Sequence, residues 1–307
     1  MIAIGIVFFG ALALLFAGIN KEEKSLKTLS ASILGLAGLA IFAESKNLIS
    51  TDALFSWVPA GMIAFNPTAQ VIAAVLTVMA MIVINLMPAV NRKGMDVIGL
   101  MMFSVCGGLL MIGAQHLVVL FLGIEILSIP LFVLAGSEKD DLFGNEASLK
   151  YFLMGAFSTA IFLLGAAFLY GGTGTLYFHE MLLRTSFSEH FGEFPILVKA
   201  GLILVSVGLL FKVSAVPFHF WSPDVYEGSP NRIAAFMAII VKIAGFASFA
   251  QLLSAFAPMQ NWYSTWLLPI SIITVLGGNI VALVQNSYKR MLAYSSIAHA
   301  GYILIGL

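Results

Sequence analysis

The sequence contains little charge for its length and almost no cysteine. Only 10% of its 307 residues are charged, whereas 60% are hydrophobic, and the mean hydropathy is +1.01. A soluble globular domain carries about 25% charged residues, so this composition excludes an ordinary soluble protein. Lys plus Arg and Asp plus Glu number 15 each. This balance gives no electrostatic reason to expect a nucleic acid as a partner.

The single cysteine, Cys106, excludes several redox and metal sites. One thiol cannot form a disulfide, a CxxC zinc site or an iron–sulfur cluster within the chain. The five histidines show neither HxxH nor HExxH spacing, which argues against zinc. We therefore expect no metal and no cofactor in this chain, and haem held between helices is the one alternative that the residues leave open.

Long apolar runs separated by short polar breaks predict an all-α membrane protein, a multi-span helical bundle. A helix needs roughly 20 apolar residues to cross the hydrocarbon of a bilayer. About ten runs approach that length, at residues 2–19, 28–43, 67–90, 96–114, 116–135, 146–171, 195–216, 232–257, 262–284 and 290–307. The first run lacks a basic start and a small-residue cleavage site, so we interpret it as a retained span rather than a signal peptide.

The distribution of basic residues predicts the orientation of these spans, because cytoplasmic loops carry the excess of Lys and Arg. The odd-numbered loops contain Lys21, Lys24, Lys27, Arg92, Lys93, Lys139, Lys150, Arg232, Lys289 and Arg290. The even-numbered loops contain only Lys46, Arg184 and Lys199. The amino terminus is therefore predicted to face the outside.

Three ionisable residues, Glu125, Lys212 and Lys242, lie inside long apolar runs. Each costs about 2.5–3.5 kcal/mol in the bilayer, so the three together cost roughly 8–10 kcal/mol unless partners or water offset them. One explanation is a Glu–Lys pair that holds two helices together without any transport role. The other, which we favour, is a proton or ion relay.

Pro217 follows Lys212 by five residues and predicts a break in the seventh span, because proline removes a backbone hydrogen bond and disrupts the helix. Transporters use such broken helices at ion sites. His219 lies after the break and His299 lies in the last span, and both are candidate relay residues because an unperturbed imidazole titrates near pH 6.5. Interfacial placement of His219 and a packing hydrogen bond from His299 are the alternatives.

Other charged residues are interpreted as structural. Asp224 and Glu227 follow the break, where solvation in a loop is the default expectation. Glu146 and Lys150 are spaced i, i+4 at the start of a helix, which predicts a stabilising pair without further function.

Three stretches of the sequence carry a recognisable pattern: LFLGIEILSIPLFVLAG at 120–136 continued by EASLKYFLMGAFS at 146–158, FKVSAVPFHFWSPDVYEGSP at 211–230, and KRMLAYSSIAHAGY at 289–302. Together they resemble the antiporter-like membrane subunits of respiratory complex I, the NADH:quinone oxidoreductase, and subunit N in particular. The segment DVYEG after PFHFW is the most specific, and the resemblance covers about residues 95–307. Asn231-Arg232 departs from the Thr-Pro of many members.

The resemblance implies an antiporter-like inverted-repeat fold in which Glu125, Lys212 and Lys242 form the proton path. It implies N-terminal spans at 1–95, a first five-helix repeat at 96–257 and the start of a second repeat at 258–307. The expected function is proton translocation in a bacterial inner membrane, coupled to quinone reduction elsewhere in the complex. The expected partners are the other membrane subunits of complex I and the lipid bilayer.

Two alternative functions are compatible with these residues. One is a subunit of a cation/proton antiporter, against which Tyr226-Glu227-Gly228 argues, and the other is a membrane scaffold that does not pump. The chain ends inside the tenth apolar run, where the family continues into a second broken helix. We therefore expect it to be part of a longer protein, and a shortened subunit is the alternative.

Overall fold

The computed structural model describes residues 1–18, 23–46, 48, 59, 61–87, 95–190 and 194–307. Across these residues the chain is helical and contains no β-strand, only the isolated bridges Ile63–Ala114 and His116–Tyr177. The helices are α1 (Ile2–Ala17), α2 (Glu23–Ser45), α3 (Pro67–Leu86), α4 (Met95–Gly113), α5 (Leu117–Ala135), α6 (Leu142–Thr173), α7 (Phe178–His190), α8 (Ile196–Lys212), α9 (Trp221–Gly228), α10 (Asn231–Phe236), α11 (Lys242–Ala255), α12 (Gln260–Leu283) and α13 (Tyr288–Ile305). A π-helical turn, Met237–Val241, joins α10 to α11, and a 3-10 turn, Ala257–Met259, precedes α12.

Each predicted span overlaps a helix, and the all-helical membrane architecture is confirmed. In the part of the chain that the structure describes, six helices are long and apolar enough to cross a membrane, and the shorter apolar helices include Ile2–Ala17 and Val97–Gly113. The six are Glu23–Ser45, Pro67–Leu86, Leu117–Ala135, Leu142–Thr173, Asn231–Ala255 and Ala257–Leu283. The count of about ten spans and the division at residues 95 and 257 stay predictions.

Local sequence explains where several helices begin. Asn66 accepts a hydrogen bond from the backbone N–H of Ala69 at 2.7 Å, and Pro67 occupies the first turn, where its missing N–H is harmless. The Asp141 carboxylate caps α6 by accepting from the N–H of Phe143 at 3.0 Å. The imidazole of His116 caps α5 by accepting from the N–H of Val118 at 3.2 Å.

Paired glycines set the closest helix contacts. A Cβ on Gly107 of α4 would lie 2.2 Å from the backbone nitrogen of Leu127 in α5, and one on Gly123 would lie 2.9 Å from the nitrogen of Met111. Gly165 of α6 and Gly201 of α8 are related in the same way, each with a Cβ position 2.9 Å from the other's carbonyl oxygen. Small residues allow such backbone approach, so α4 packs on α5 and α6 packs on α8.

The helix that contains the π-turn lies inside the bundle. The segment α10–α11 packs against α3, α4 and α8, whereas α12 packs mainly against α13. The outer side of α6 exposes large apolar side chains such as Phe152, Phe157 and Leu164. An apolar outer surface of this kind is what a bilayer requires.

The predicted break near Pro217 is confirmed, but it begins earlier than the predicted span end at residue 216. Helix α8 ends at Lys212, Ser214 has a φ of 62°, and helical structure resumes at Trp221. Because Pro217 cannot donate to the carbonyl of residue 213 and its ring would clash with that carbonyl, the helix cannot continue through residue 217. The buried lysine therefore lies at the end of a helix, next to irregular backbone.

Candidate functional site

One face of α5 presents an acid, a hydroxyl and an aromatic ring in a column. Glu125, Ser128 and Phe132 are spaced i, i+3 and i+7, which places them on the same side of a helix. Ser128 is fully buried and Glu125 is half-buried. The column faces α6 and α8, the helices that contribute Thr159 and Lys212.

Lys212 is buried among neutral groups. Its side chain is 2% exposed, and its ammonium donates a hydrogen bond to the Ser128 hydroxyl at 2.8 Å. The same nitrogen lies 5.6 Å from the centre of the Phe132 ring and 5.8 Å from that of Phe211. Aromatic faces attract a cation within about 6 Å, so two rings and one hydroxyl surround the charge.

Glu125 is held by a hydroxyl from a neighbouring helix. The Thr159 hydroxyl of α6 donates to the Glu125 carboxylate at 2.9 Å. Among the residues that the structure describes, Glu125 forms no ion pair with Lys212 or Lys242. A direct Glu–Lys pair that joins two helices is therefore not what keeps these charges in the bundle.

Lys242 lies at the start of α11, directly after the π-turn, and is 9% exposed. Its ammonium donates to the Ser296 hydroxyl of α13 at 2.5 Å and also to the backbone carbonyl of Ser296. Lys242, Ser296 and His299 line a common cavity of about 670 Å³, whose other walls are mostly apolar. The structure thus brings one predicted relay histidine, His299, to the same cavity as a buried lysine.

His219 was expected after the break but lies within it, because the irregular backbone extends from the end of α8 at Lys212 to Trp221. Among the described residues, no contact joins it to either lysine. Its ring packs against Phe220, with 4.7 Å between the ring centres, and lies 6.4 Å from the ring of Tyr294 on α13. Its Nδ1 is buried and makes no hydrogen bond to the described protein atoms. The proposed relay role of His219 therefore rests on its place in the chain and not on a contact.

The side chains of Trp221 and Thr274 stabilise the irregular backbone between α8 and α9. The indole nitrogen of Trp221 donates to the carbonyl of Phe211 at 3.0 Å, and the indole stacks on Tyr151 of α6 with ring centres 4.6 Å apart. The backbone N–H of Val216 donates to the Thr274 hydroxyl of α12 at 3.0 Å. Polar backbone that is freed inside a membrane protein needs such partners, because lipid offers none.

Asp224 links three helices through ion pairs, which differs from the expected solvated loop. Its carboxylate accepts from Lys150 of α6 at 2.8 Å and from Arg290 of α13 at 2.6 Å. Arg290 also pairs with Glu227 at 3.1 Å, and Lys150 pairs with Glu146 at 2.7 Å as the i, i+4 spacing predicted. Burial acts to raise the pKa of Asp224, but the hydrogen bonds from Lys150 and Arg290 outweigh it and hold that pKa below its ordinary value.

Sequence reasoning did not find the hydroxyl partners of the three buried charges. Ser128, Thr159 and Ser296 are common residues in membrane helices, and nothing in their local sequence marks them. The one usable signal was the i, i+3 spacing of Ser128 from Glu125, which placed both on one face of α5.

Comparison with known proteins assigns a family to this arrangement. The family model described as NADH:quinone oxidoreductase/Mrp antiporter, TM, matches residues 114–307, which include Glu125, both buried lysines and the break. NADH-quinone oxidoreductase subunit N 1 of Chloroherpeton thalassium is 48% identical over 213 residues, 68% of this chain and 44% of the relative. Subunit N of Cytophaga hutchinsonii is 46% identical over 211 residues, 68% of this chain and 45% of that relative. The matched region thus spans less than half of these curated relatives.

Solved structures agree with this assignment. A chain of respiratory complex I from Thermus thermophilus, solved with bound aureothin, matches with a TM-score of 0.78 and 32% identity over 99% of this chain and 63% of that chain. On its match to the family model, and with curated relatives that are NADH-quinone oxidoreductase subunit N, this chain belongs to the NADH:quinone oxidoreductase/Mrp antiporter family of membrane proteins.

Proposed function

We propose that this chain is a proton-translocating membrane subunit of NADH:quinone oxidoreductase, complex I. It acts as part of a translocase and carries out no redox chemistry itself, since quinone reduction takes place elsewhere in the complex. The observation that supports this most directly is Lys212, which is 2% exposed, lies at the end of a broken helix and is surrounded by neutral groups. A buried charge beside irregular backbone is typical of ion pathways.

The relay uses coupling between charges that do not touch. An ionised Glu125 favours the charged form of Lys212 through space, since opposite charges stabilise each other more strongly in a low dielectric than in water. Neutralisation of Glu125 removes that attraction, and Lys212 then releases its proton. Lys242 is the next residue of the relay, with His299 in the same cavity. His219 acts as a further relay residue within the break.

The same proposal sets the surroundings of the chain. It lies in a bacterial inner membrane with its amino terminus outside, next to the other antiporter-like and connecting subunits of complex I. Residues 96–257 form the first repeat and residues 258–307 begin the second. The chain binds no cofactor and no nucleic acid. A cation/proton antiporter subunit and a scaffold that does not pump are the competing assignments.

Substitution of the buried charges tests the proposal. Lys212→Met keeps the volume of the side chain and removes its charge, and Glu125→Gln does the same for the carboxylate. We expect each to lower NADH-driven proton transport and quinone reductase turnover by about 10-fold or more, because removal of a proton-transfer group typically costs at least 100-fold where that step limits the rate. The control is Lys139→Met, since Lys139 is an exposed lysine in a surface loop.

The assembled complex is quantified on native gels stained for NADH dehydrogenase activity, and turnover is normalised to that amount. Normal pumping and turnover in both variants would exclude the relay and leave the scaffold. Migration of the chain apart from NADH dehydrogenase activity would instead favour the antiporter.

A further inference from the structure

Each buried lysine donates a hydrogen bond to a serine on a different helix. Lys212 of α8 bonds to Ser128 of α5 at 2.8 Å, across 84 residues of sequence. Lys242 of α11 bonds to Ser296 of α13 at 2.5 Å, across 54 residues. The same lysine–serine arrangement therefore occurs twice, in two separate helix contacts.

The Ser128 hydroxyl both donates and accepts a hydrogen bond. It donates its own hydrogen to the carbonyl of Ile124, one turn earlier in α5, while its oxygen accepts from Lys212. Ser128 is 0% exposed, so protein atoms supply its surroundings on every side. A serine hydroxyl has one donor and two acceptor positions, so it can bond to a lysine in either charge state.

We propose that Ser128 and Ser296 are positioning residues that hold the two lysines in place in both of their protonation states. A charged lysine donates to the serine oxygen, across the contact between the lysine Nζ and the serine Oγ found at both sites. A neutral amine has a lone pair, and rotation of the serine hydroxyl turns its hydrogen toward that lone pair; at Ser128 this hydrogen leaves the carbonyl of Ile124. The lysine nitrogen then keeps its place whether charged or neutral, and only a hydroxyl group rotates.

Lys242 has a second hydrogen-bond acceptor beside its serine hydroxyl, whereas Lys212 has only the hydroxyl among the described residues. Lys242 also donates to the backbone carbonyl of Ser296, and this contact does not depend on the serine side chain. Among the described residues, Lys212 has Ser128 as its one hydrogen-bond partner, with the Phe132 and Phe211 rings completing its surroundings. Loss of the hydroxyl should therefore matter more at Ser128 than at Ser296.

The inference rests on the proposed function, and its test uses the assembled complex in membranes of the source organism. NADH with a short-chain quinone is the substrate pair, and proton transport is followed with a pH-sensitive dye. We expect Ser128→Ala to lower kcat about 10-fold at unchanged quinone KM, since a hydrogen bond to a charged group accounts for an effect of that order. Ser296→Ala should lower kcat only about 2- to 3-fold, because the backbone contact with Lys242 remains.

Two further variants separate positioning from simple packing. Ser128→Thr keeps the hydroxyl and should restore at least about half of the turnover, because threonine makes the same bonds from a helix. Ser104→Ala is the matched control, since Ser104 is equally buried and donates only to Leu100 of its own helix at 3.3 Å. It should leave kcat unchanged.

The outcomes are distinguishable from failure of the proposed function. Normal kcat in Ser128→Ala, together with a large loss in Lys212→Met, would overturn the positioning role and leave the relay intact. Normal kcat in Lys212→Met would overturn the relay itself. Equal losses in the alanine and threonine variants, or a larger loss for Ser296→Ala than for Ser128→Ala, would also count against the positioning role.

Discussion

Replacement of Gly107 by alanine should displace the helix that presents Glu125 and Ser128. The added Cβ would lie 2.2 Å from the backbone nitrogen of Leu127 and 2.7 Å from its Cα, whereas ordinary contacts begin near 3.4 Å. Backbone atoms cannot rotate away as a side chain does. Helices α4 and α5 must therefore separate by about 1 Å, by comparison of these distances with normal packing.

The size of that displacement decides the expected effect. Leu127 directly precedes Ser128, whose bond to Lys212 is 2.8 Å long. A shift of about 1 Å takes such a bond out of the range in which hydrogen bonds form. Overpacking of this kind costs about 1–3 kcal/mol, and misplacement of reacting groups by about 1 Å can lower a rate by roughly 100-fold.

The assay measures assembled complex on native gels and turnover per assembled complex. Gly107→Ala should lower turnover by about 10- to 100-fold and also lower the amount of complex. Gly35→Ala is the matched control, because Gly35 is also in a helix but has no atom within 4 Å of its Cβ position. Normal amounts and normal turnover in Gly107→Ala would refute the close contact of α4 with α5 as the device that positions the site.

Two further predictions concern the break and the ion pairs beside it. Trp221→Phe keeps an aromatic ring near Tyr151 but removes the donor to the Phe211 carbonyl. The complex should therefore lose stability equivalent to about 1 kcal/mol. The measurement is the temperature at which half of the activity is lost on heating. Burial acts to raise the pKa of Asp224, but Lys150 and Arg290 lower it in the folded protein. These ion pairs therefore stabilise the folded protein at pH values above the ordinary pKa of the carboxyl group, near 3.8. That stability is lost as the pH falls through the lowered pKa. Asp224→Asn should therefore lower the midpoint at pH 7 by the equivalent of about 1 kcal/mol, with a difference from the native protein that shrinks below pH 4, and a constant difference would contradict this assignment.

Much of the fold could be predicted from local sequence. Apolar runs of nearly bilayer length gave the positions of the helices, because the hydrocarbon imposes both the length and the composition of a span. Pro217 predicted the break, since its ring and missing N–H act on the residues directly before it. The end of α8 at Lys212 was not predicted, because a helix end also depends on which groups receive the freed carbonyls, and here Trp221 does so from ten residues away.

Part of the candidate site could likewise be predicted from the sequence, and part could not. Glu125, Lys212 and Lys242 were identified by sequence alone, since a charge in an apolar run is costly wherever the helices lie. Asp224 was expected to be solvated, yet its partners Lys150 and Arg290 lie 74 and 66 residues away in the chain.

The sequence by itself determined that this protein lies in a membrane, which residues bring a charge into its apolar segments and that a helix must break near Pro217. Those properties follow from single residues and their immediate neighbours. Only the tertiary structure decided that Ser128, Thr159 and Ser296 form hydrogen bonds with these charged side chains. It also decided that, within the described residues, Glu125 forms no ion pair with either lysine. The rotation and spacing of each helix select these contacts. Gly107 on α4 and Gly201 on α8 each let a neighbouring helix approach closely, and this close packing sets the spacing.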